Sequence, residues 1–355
     1  MALQASYQKK VFQFNFKART SRGLMRDKVS WFIAVWDDAN PNLKGIGECG
    51  PLPGLSPDDR PDFEQVLQDV LNKLSSHSLQ HFNTSTLQHL VPSGFPSIIF
   101  GLETALLDLQ NGGKRLIFDN DFTKGKSIPI NGLIWMGDLD FMLHQLSDKV
   151  AQGFTCIKMK VGGLNFDREM DVLEYMRKRF YREQLTIRLD ANGAFKTDEV
   201  LFRLEELSRF KIHSIEQPIK QGQPEMEELC RKSPIPIAFD EELIGIEGEE
   251  AKRKLLTRLK PAYIILKPTL HGGLQSCREW ISLAESAGIG WWITSALESS
   301  IGLNAICQFT ANYPVTLPQG LGTGAIYEDN IPSPLRVKKG EIHYDDSLAW
   351  DLSGV

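Results

Sequence analysis

Residues 185–216, LTIRLDANGAFKTDEVLFRLEELSRFKIHSIE, contain the unit from which the rest of the chain can be read. Two short runs rich in aliphatic and β-branched residues, 185–190 and 212–216, flank an amphipathic segment of helical length, and each run ends on a carboxylate, Asp190 and Glu216. Strand, helix and strand in that order make the βαβ unit of a parallel sheet. Further strand candidates lie at 128–133, 155–161, 235–239, 263–267, 290–294 and 315–319, so eight units occupy roughly 190 residues. Such dense repetition fits a closed parallel barrel, which typically takes about 250 residues with insertions, better than an open sheet.

Upstream the texture differs. Val11-Phe12-Gln13-Phe14-Asn15-Phe16 and Val29-Ser30-Trp31-Phe32-Ile33-Ala34-Val35 read as antiparallel strands with a polar connection from Arg19 to Asp27. A loop at 45–57, GIGECGPLPGLSP, follows, and then helical stretches at 61–74 and 97–109. The expectation is an α+β capping unit over 1–125, a barrel over 126–326, and a segment, 327–355, that returns to pack on the first unit.

Composition narrows the function. Of 355 residues 42% are apolar and 24% charged, an ordinary folded protein, and 40 Lys and Arg against 45 Asp and Glu give a net charge of −5. No basic stripe is present for phosphate backbones, so a nucleic-acid partner is not expected. No apolar run reaches the roughly 18–20 residues of a spanning helix, and residues 1–14 lack a signal-peptide core, so no membrane partner and a cytoplasmic location are expected. Cys49, Cys156, Cys230, Cys277 and Cys307 form no Cys-x-x-Cys pair and read as buried thiols.

In a barrel the carboxyl ends of the strands converge on one rim, where catalysis sits. Five consecutive strand candidates end on charge: Lys158-Met159-Lys160, Asp190-Ala191-Asn192, Glu216, Asp240-Glu241 and Lys267. Asp190, Glu216 and Asp240 are 26 and 24 residues apart, one βα period each, which brings three carboxylates together. Something positive must lie between them. A Mg²⁺ ion, which takes hard oxygen ligands at about 2.0–2.1 Å, meets that need. A salt-bridge network in which Lys158, Lys160 and Lys267 neutralise the carboxylates meets it too. Period-two geometry points Lys158 and Lys160 to the same side, and Lys267 faces them across the mouth. With a cation present, a partly desolvated lysine can remove a proton beside a carboxylate. A Schiff base on Lys267 is a second chemistry, and a noncatalytic barrel a third reading.

Lys158-x-Lys160, Asp190-Ala191-Asn192, Ser214-Ile215-Glu216-Gln217-Pro218, Asp240-Glu241 and Leu266-Lys267-Pro268, in this order, resemble the muconate-lactonizing subgroup of the enolase superfamily. The Gly47–Ser56 loop, the 97–109 helix, Lys267-Pro268-Thr269 and the segment Thr294-Ser295-Ala296-Leu297-Glu298-Ser299-Ser300 bring it nearest the o-succinylbenzoate synthases. The resemblance implies a modified (β/α)7β barrel of TIM type with an α+β capping domain. It implies Mg²⁺, with Mn²⁺ as a substitute, held by Asp190, Glu216 and Asp240, and it makes Lys160 and Lys267 catalytic, with Lys158, Asn192 and Glu241 in support. Ser295, Ser299, Gly320, Gly322 and Leu52 would line the substrate pocket, and Ser21–Gly23 with Leu52–Leu55 would form closing cap loops.

The implied reaction is syn dehydration of a small carboxylate, 2-succinyl-6-hydroxy-2,4-cyclohexadiene-1-carboxylate, through an enediolate in menaquinone biosynthesis. N-succinylamino acid racemisation is the runner-up, and room is left for a homo-oligomer. The eighth strand ends Gly320-Leu321-Gly322-Thr323 and lacks the Asp-x-Asp of dipeptide epimerases. Gly125-Lys126-Ser127 lacks the upstream glycine of a phosphate loop, and His213 and His271 read as supporting or surface residues.

Overall fold

The computed structural model describes residues 2–20, 23–75, 84–163, 165–181 and 184–355. An antiparallel sheet comes first, β1 (Leu3–Thr20), β2 (Gly23–Asp37) and β3 (Lys44–Cys49), in that order. Helices α1 (Phe63–Leu74), α2 (Thr84–Leu90) and α3 (Pro96–Gln110) follow. Most of the expected polar connection at 19–27 is strand, with Ala18 opposite Met25 and Thr20 opposite Gly23. Main-chain pairing carries the two arms past the apolar core, where side-chain alternation no longer marks a strand. The expected loop at 45–57 likewise begins with β3. Its glycines serve packing: a Cβ on Gly47 would stand 1.9 Å from the Gly101 carbonyl oxygen, and one on Gly45 2.0 Å from that of Ala105. Glycine lets α3 lie directly on the strand.

The barrel strands alternate with helices: β5 (Gly132–Ile134), α4 (Leu139–Ala151), β6 (Cys156–Lys160), α5 (Phe166–Arg179), β7 (Thr186–Asp190), α6 (Val200–Ser208), β8 (Ser214–Glu216) and α7 (Glu225–Lys232). The alternation continues through β9 (Ile237–Phe239), α8 (Glu249–Leu259), β10 (Tyr263–Leu266), α9 (Gly273–Ser286), β11 (Gly290–Ile293) and α10 (Ser300–Thr310). Strands β5 to β11 lie side by side in chain order, and every pairing between them is parallel.

Two expectations need correction. The run 128–133 divides: β4 (Ile128–Pro129) pairs antiparallel with β13 (Glu341–Tyr344) of the late hairpin that β12 (Leu335–Lys338) begins, and the barrel strand itself starts at Gly132. The eighth strand at 315–319 is absent among the described strands; single parallel bridges, Ile130 to Gln319 and Thr294 to Gly320, close the ring instead. Pro314 and Pro318 each lack the N–H that a ladder needs.

Apolar residues between strands and helices, such as Ile157, Leu189, Ile215 and Leu266, form the main core, leaving the alternate positions facing the barrel interior. There Arg188 lies 3.9 Å over the Trp292 ring and donates to the Pro318 carbonyl at 2.7 Å. Trp291 packs outward on Tyr313. The last segment touches both parts of the molecule: Glu328 N–H donates to Gln13 and Tyr327 packs on Phe14 in β1, while β13 pairs with β4. All five cysteines are free, and four are buried. Among the described residues no helix is long and apolar enough to cross a membrane.

Asp58 closes the N-terminus of α3, where its Oδ2 accepts from Ser97 N (2.8 Å) and Ser97 Oγ (2.6 Å). Burial pushes its carboxyl up to about 6, from the usual 3.8. The folded chain therefore holds this proton more tightly than the unfolded chain, and the stability it contributes is complete below about pH 4 and lost as the pH rises through about 6. Asp58→Asn keeps an acceptor oxygen and removes the titration. Its thermal midpoint should gain on that of the parent as pH rises from 4 to 7; a difference independent of pH would exclude this origin.

Candidate active site

Strand register builds the rim. Lys160 is paired with Asp190 and Asp190 with Glu216, so three polar side chains of adjacent strands stand at one level inside the barrel. Asp240 follows the end of β9, and Lys267 the end of β10. Lys158 Nζ lies 2.8 Å from Asp190 Oδ2 and 2.5 Å from Glu216 Oε2. Lys160 Nζ donates to the same Asp190 oxygen at 2.6 Å and to Asn192 Oδ1 at 2.7 Å, and Lys267 is paired with Asp240. Asn192, at φ +45°, passes the contact on through Nδ2 to Glu241 Oε1 at 2.9 Å. Asparagine tolerates that left-handed backbone better than most residues.

Burial and charge pull these groups apart in acidity. Burial lowers Lys160, helped by the neighbouring Lys158 ammonium and opposed by Asp190, and the net position is below the ordinary lysine value. Burial also works against the Lys158 ammonium, but Asp190, Glu216 and Asp240 outweigh it and hold it far above that value. Lys267 is raised in the same way, with Asp240 overcoming burial. Burial would raise Asp190, yet Lys158 and Lys160 hold it far below the carboxylate range. Glu216 goes the other way, driven up by burial and by Asp190. His271 Nδ1 accepts from Lys267 N–H at 3.1 Å, and burial drops the ring to about 3, so this histidine stays neutral. His213 stacks on Tyr263.

Four buried carboxyl groups (Asp190, Glu216, Asp240, Glu241) thus face three ammonium groups. Among the described residues no three ligand side chains enclose one point as around a metal, because ammonium groups stand between the carboxylates. The donor set nevertheless fits a hard divalent cation: Glu216 Oε1 and Asp240 Oδ1 are buried oxygens that no N–H or ammonium donor reaches, and carboxyl groups outnumber ammonium groups.

Above this bed lies a cavity of about 360 Å³ that Lys158, Lys160, Asn192 and Lys267 line from the barrel side. Ser295, Gly320, Gly322, Thr323 and Leu297 form another wall, while Phe16, Met25 and Leu52 of the capping domain form the lid side. Of the expected closing loops, Leu52 meets the cavity; Ser21 and Arg22 lie outside the described residues. Ser295 sits at the wall with its hydroxyl committed to Glu298 Oε2 at 2.5 Å. Ser299, expected at the pocket, does not line it. Its side chain caps α10, accepting from Ile301 N and donating to Glu48 Oε2 at 2.6 Å.

Sequence reading missed this second, structural cluster. Glu48 of β3 accepts from Ser299 N, Ser299 Oγ, Gly302 N (3.0 Å) and Ser30 Oγ (2.7 Å), so a carboxylate of the capping domain closes the N-terminus of a barrel helix. Glu298 accepts from Ser295 Oγ, Ala296 N (2.8 Å) and Thr269 Oγ1, tying the loops after β10 and β11 together. Lys28 is buried between the two glutamates and Asp58, and burial lowers it against their attraction. The single signal in the sequence was the pair of acidic residues inside otherwise small and apolar loops, Gly47-Glu48-Cys49 and Leu297-Glu298-Ser299.

Residues 142–348 match the model of the enolase C-terminal domain-like family, more than half of the chain. The chain belongs to the enolase superfamily, in its muconate-lactonizing subgroup. It is 43% identical to o-succinylbenzoate synthase of Desulfotalea psychrophila over 95% of this chain and 98% of that one, which makes it a lyase-class enzyme of that family. The crystal structure of MenC from the same organism superposes with a TM-score of 0.87 at 41% identity, covering 97% of this chain and all of the other. At 18% identity, muconate lactonizing enzyme from Pseudomonas putida shares the fold, with a TM-score of 0.82 over 99% of this chain and 96% of its own.

Glu48→Ala should leave several buried donors of α10 without an acceptor and lower the unfolding free energy by about 2 kcal/mol or more; Glu48→Gln should cost less. Denaturant midpoints measure both, and an alanine variant as stable as the parent would show that the capping domain is seated by other contacts.

Proposed function

We propose that this enzyme dehydrates 2-succinyl-6-hydroxy-2,4-cyclohexadiene-1-carboxylate to o-succinylbenzoate, as a step of menaquinone biosynthesis. The observation that carries the reading is the placement of Lys160 and Lys267 on one cavity, both above the same bed of carboxylates. The identity to a named synthase over nearly both whole chains supports it.

Lys160 removes the proton from the ring carbon that bears the carboxylate. The electron pair left there moves into the ring as the neighbouring carbon–oxygen bond breaks. Lys160, now an ammonium group on the same face, returns that proton to the departing hydroxyl, and water leaves. Proton and hydroxide balance, and the aromatic ring formed supplies much of the driving force. Lys267 keeps positive charge beside the other face while negative charge develops. Lys158 stays protonated between Asp190 and Glu216, and Asn192 holds the Lys160 amine in place through its Oδ1. Asp190, Glu216 and Asp240 would hold a divalent cation, Mg²⁺ in the first instance, which when bound would supply the charge that makes a proton beside a carboxylate acidic enough for a lysine. The cavity walls of Leu52, Leu297, Phe16 and Trp135 keep water from the reacting face.

Chelation with EDTA should abolish turnover and Mg²⁺ or Mn²⁺ should restore it, with Asp190→Asn needing more metal for the same rate. Full activity of metal-free enzyme would remove this mechanism. Lys160→Ala should cut kcat by about three orders of magnitude or more while metal still binds; turnover within a few fold of the parent would assign the base elsewhere. For the substrate, kcat/KM on the cyclohexadiene carboxylate beside a panel of N-succinylamino acids and dipeptides decides. A clear preference for an amino-acid derivative would replace the dehydration reading by racemisation or epimerisation.

A further inference from the structure

Asn131 precedes β5, and its side chain faces the barrel interior. The direction of a Cβ on the next residue, Gly132, runs toward Ile157 and Lys149 on the helix side, and neighbouring residues alternate. Asn131 is 6% exposed, yet it lines the same cavity as Lys158, Lys160 and Lys267. Its main-chain N–H is already fixed, donating to the Gln319 carbonyl at 2.9 Å, so the side-chain amide is not needed to hold the residue. The amide's Nδ2 reaches the Gly132 carbonyl at 3.5 Å, the outer limit of a hydrogen bond, and Oδ1 has no partner among the described residues. With Nδ2 turned toward that carbonyl, the free end of the amide is the acceptor. Gly320 and Gly322 line the same cavity, and Gly322 lies beside Asn131, a Cβ on it standing 3.6 Å from the Asn131 main-chain oxygen. A Cβ on Gly320 would stand 1.9 Å from Thr294 Oγ1.

A buried amide oxygen without a donor is costly, and a ligand that brings a donor removes that cost. An acceptor does not bind a carboxylate or ketone oxygen. An ammonium ligand would be repelled by the lysines of the same cavity. A neutral hydroxyl remains. We propose that Asn131 is a substrate-contacting residue whose Oδ1 accepts a hydrogen bond from a hydroxyl of the bound substrate. The inference rests on the dehydration reading: there the ring hydroxyl is the one neutral donor on the substrate, and it is the group that leaves. Asn131 then orients the carbon–oxygen bond toward Lys160 and keeps accepting from the oxygen's own hydrogen as Lys160 delivers the second proton and water departs.

The product, o-succinylbenzoate, has no hydroxyl, which gives a control within one experiment. Asn131→Ala and the similarly sized Asn131→Leu are compared with the parent, all loaded with Mg²⁺, by kcat/KM on the cyclohexadiene carboxylate and by calorimetric Kd for the product. The expected result is a fall in kcat/KM of about tenfold or more with product Kd within twofold of the parent in at least one variant. Unchanged kcat/KM, or a product affinity that falls in step with turnover in both variants, overturns the inference. A parent that fails to dehydrate the cyclohexadiene carboxylate overturns the reading of function and this inference together, whereas an active parent with equally active variants overturns the inference alone.

Discussion

Charged groups buried at the carboxyl end of a barrel cannot be solvated by water, so each must be solvated by another. Lys158 is where this constraint is met. Its ammonium touches both Asp190 and Glu216, and without it two carboxylates on adjacent strands would repel each other. Removing any one member leaves an uncompensated charge for the others, which explains why lysines and carboxylates occur here as a set. The same arrangement creates acidity differences within a few ångströms: Lys158 and Lys267 are held protonated by the carboxylates they touch, while burial and a like charge depress Lys160.

The rim is held from outside by a second polar network with a different task. Glu48 brings a strand of the capping domain onto the N-terminus of α10, and Glu298 joins the loops after β10 and β11. Leu297, between them in the cavity wall, is held at φ +65° with its carbonyl accepting from Tyr327 Oη. A strained residue is kept only where its surroundings over-determine it. Lid and wall are therefore tied to one buried cluster, so the cavity shape depends on how the capping domain is seated.

Much of this plan was legible along the chain. The βα period and the charge at each strand end depend on local sequence, since side-chain alternation on a strand is a property of the backbone alone. That was enough to place Lys158, Lys160, Asp190, Glu216, Asp240 and Lys267 on one rim, whereas Ser295, Gly320 and Leu52 were expected at the pocket from the family resemblance alone. The arms of the first hairpin and β3 were misread because long-range main-chain pairing and the close approach of α3 decide them, and neither leaves a periodic signature. Ser299 was misplaced for a similar reason: an N-cap serine and a pocket serine look alike until the partner is known.

What the residues determined by themselves is the barrel's repeat and its charged rim. Tertiary structure alone decided which oxygen each ammonium touches, which carboxylates act as struts, and that the eighth strand is reduced to two bridges. It also decided that Asn131, silent in the sequence, has a free acceptor facing the site. The reason is physical: alternation and spacing are short-range and survive in any βα repeat, whereas burial, hydrogen-bond partnership and pKa arise when residues as distant as Glu48 and Ser299 share one dry volume.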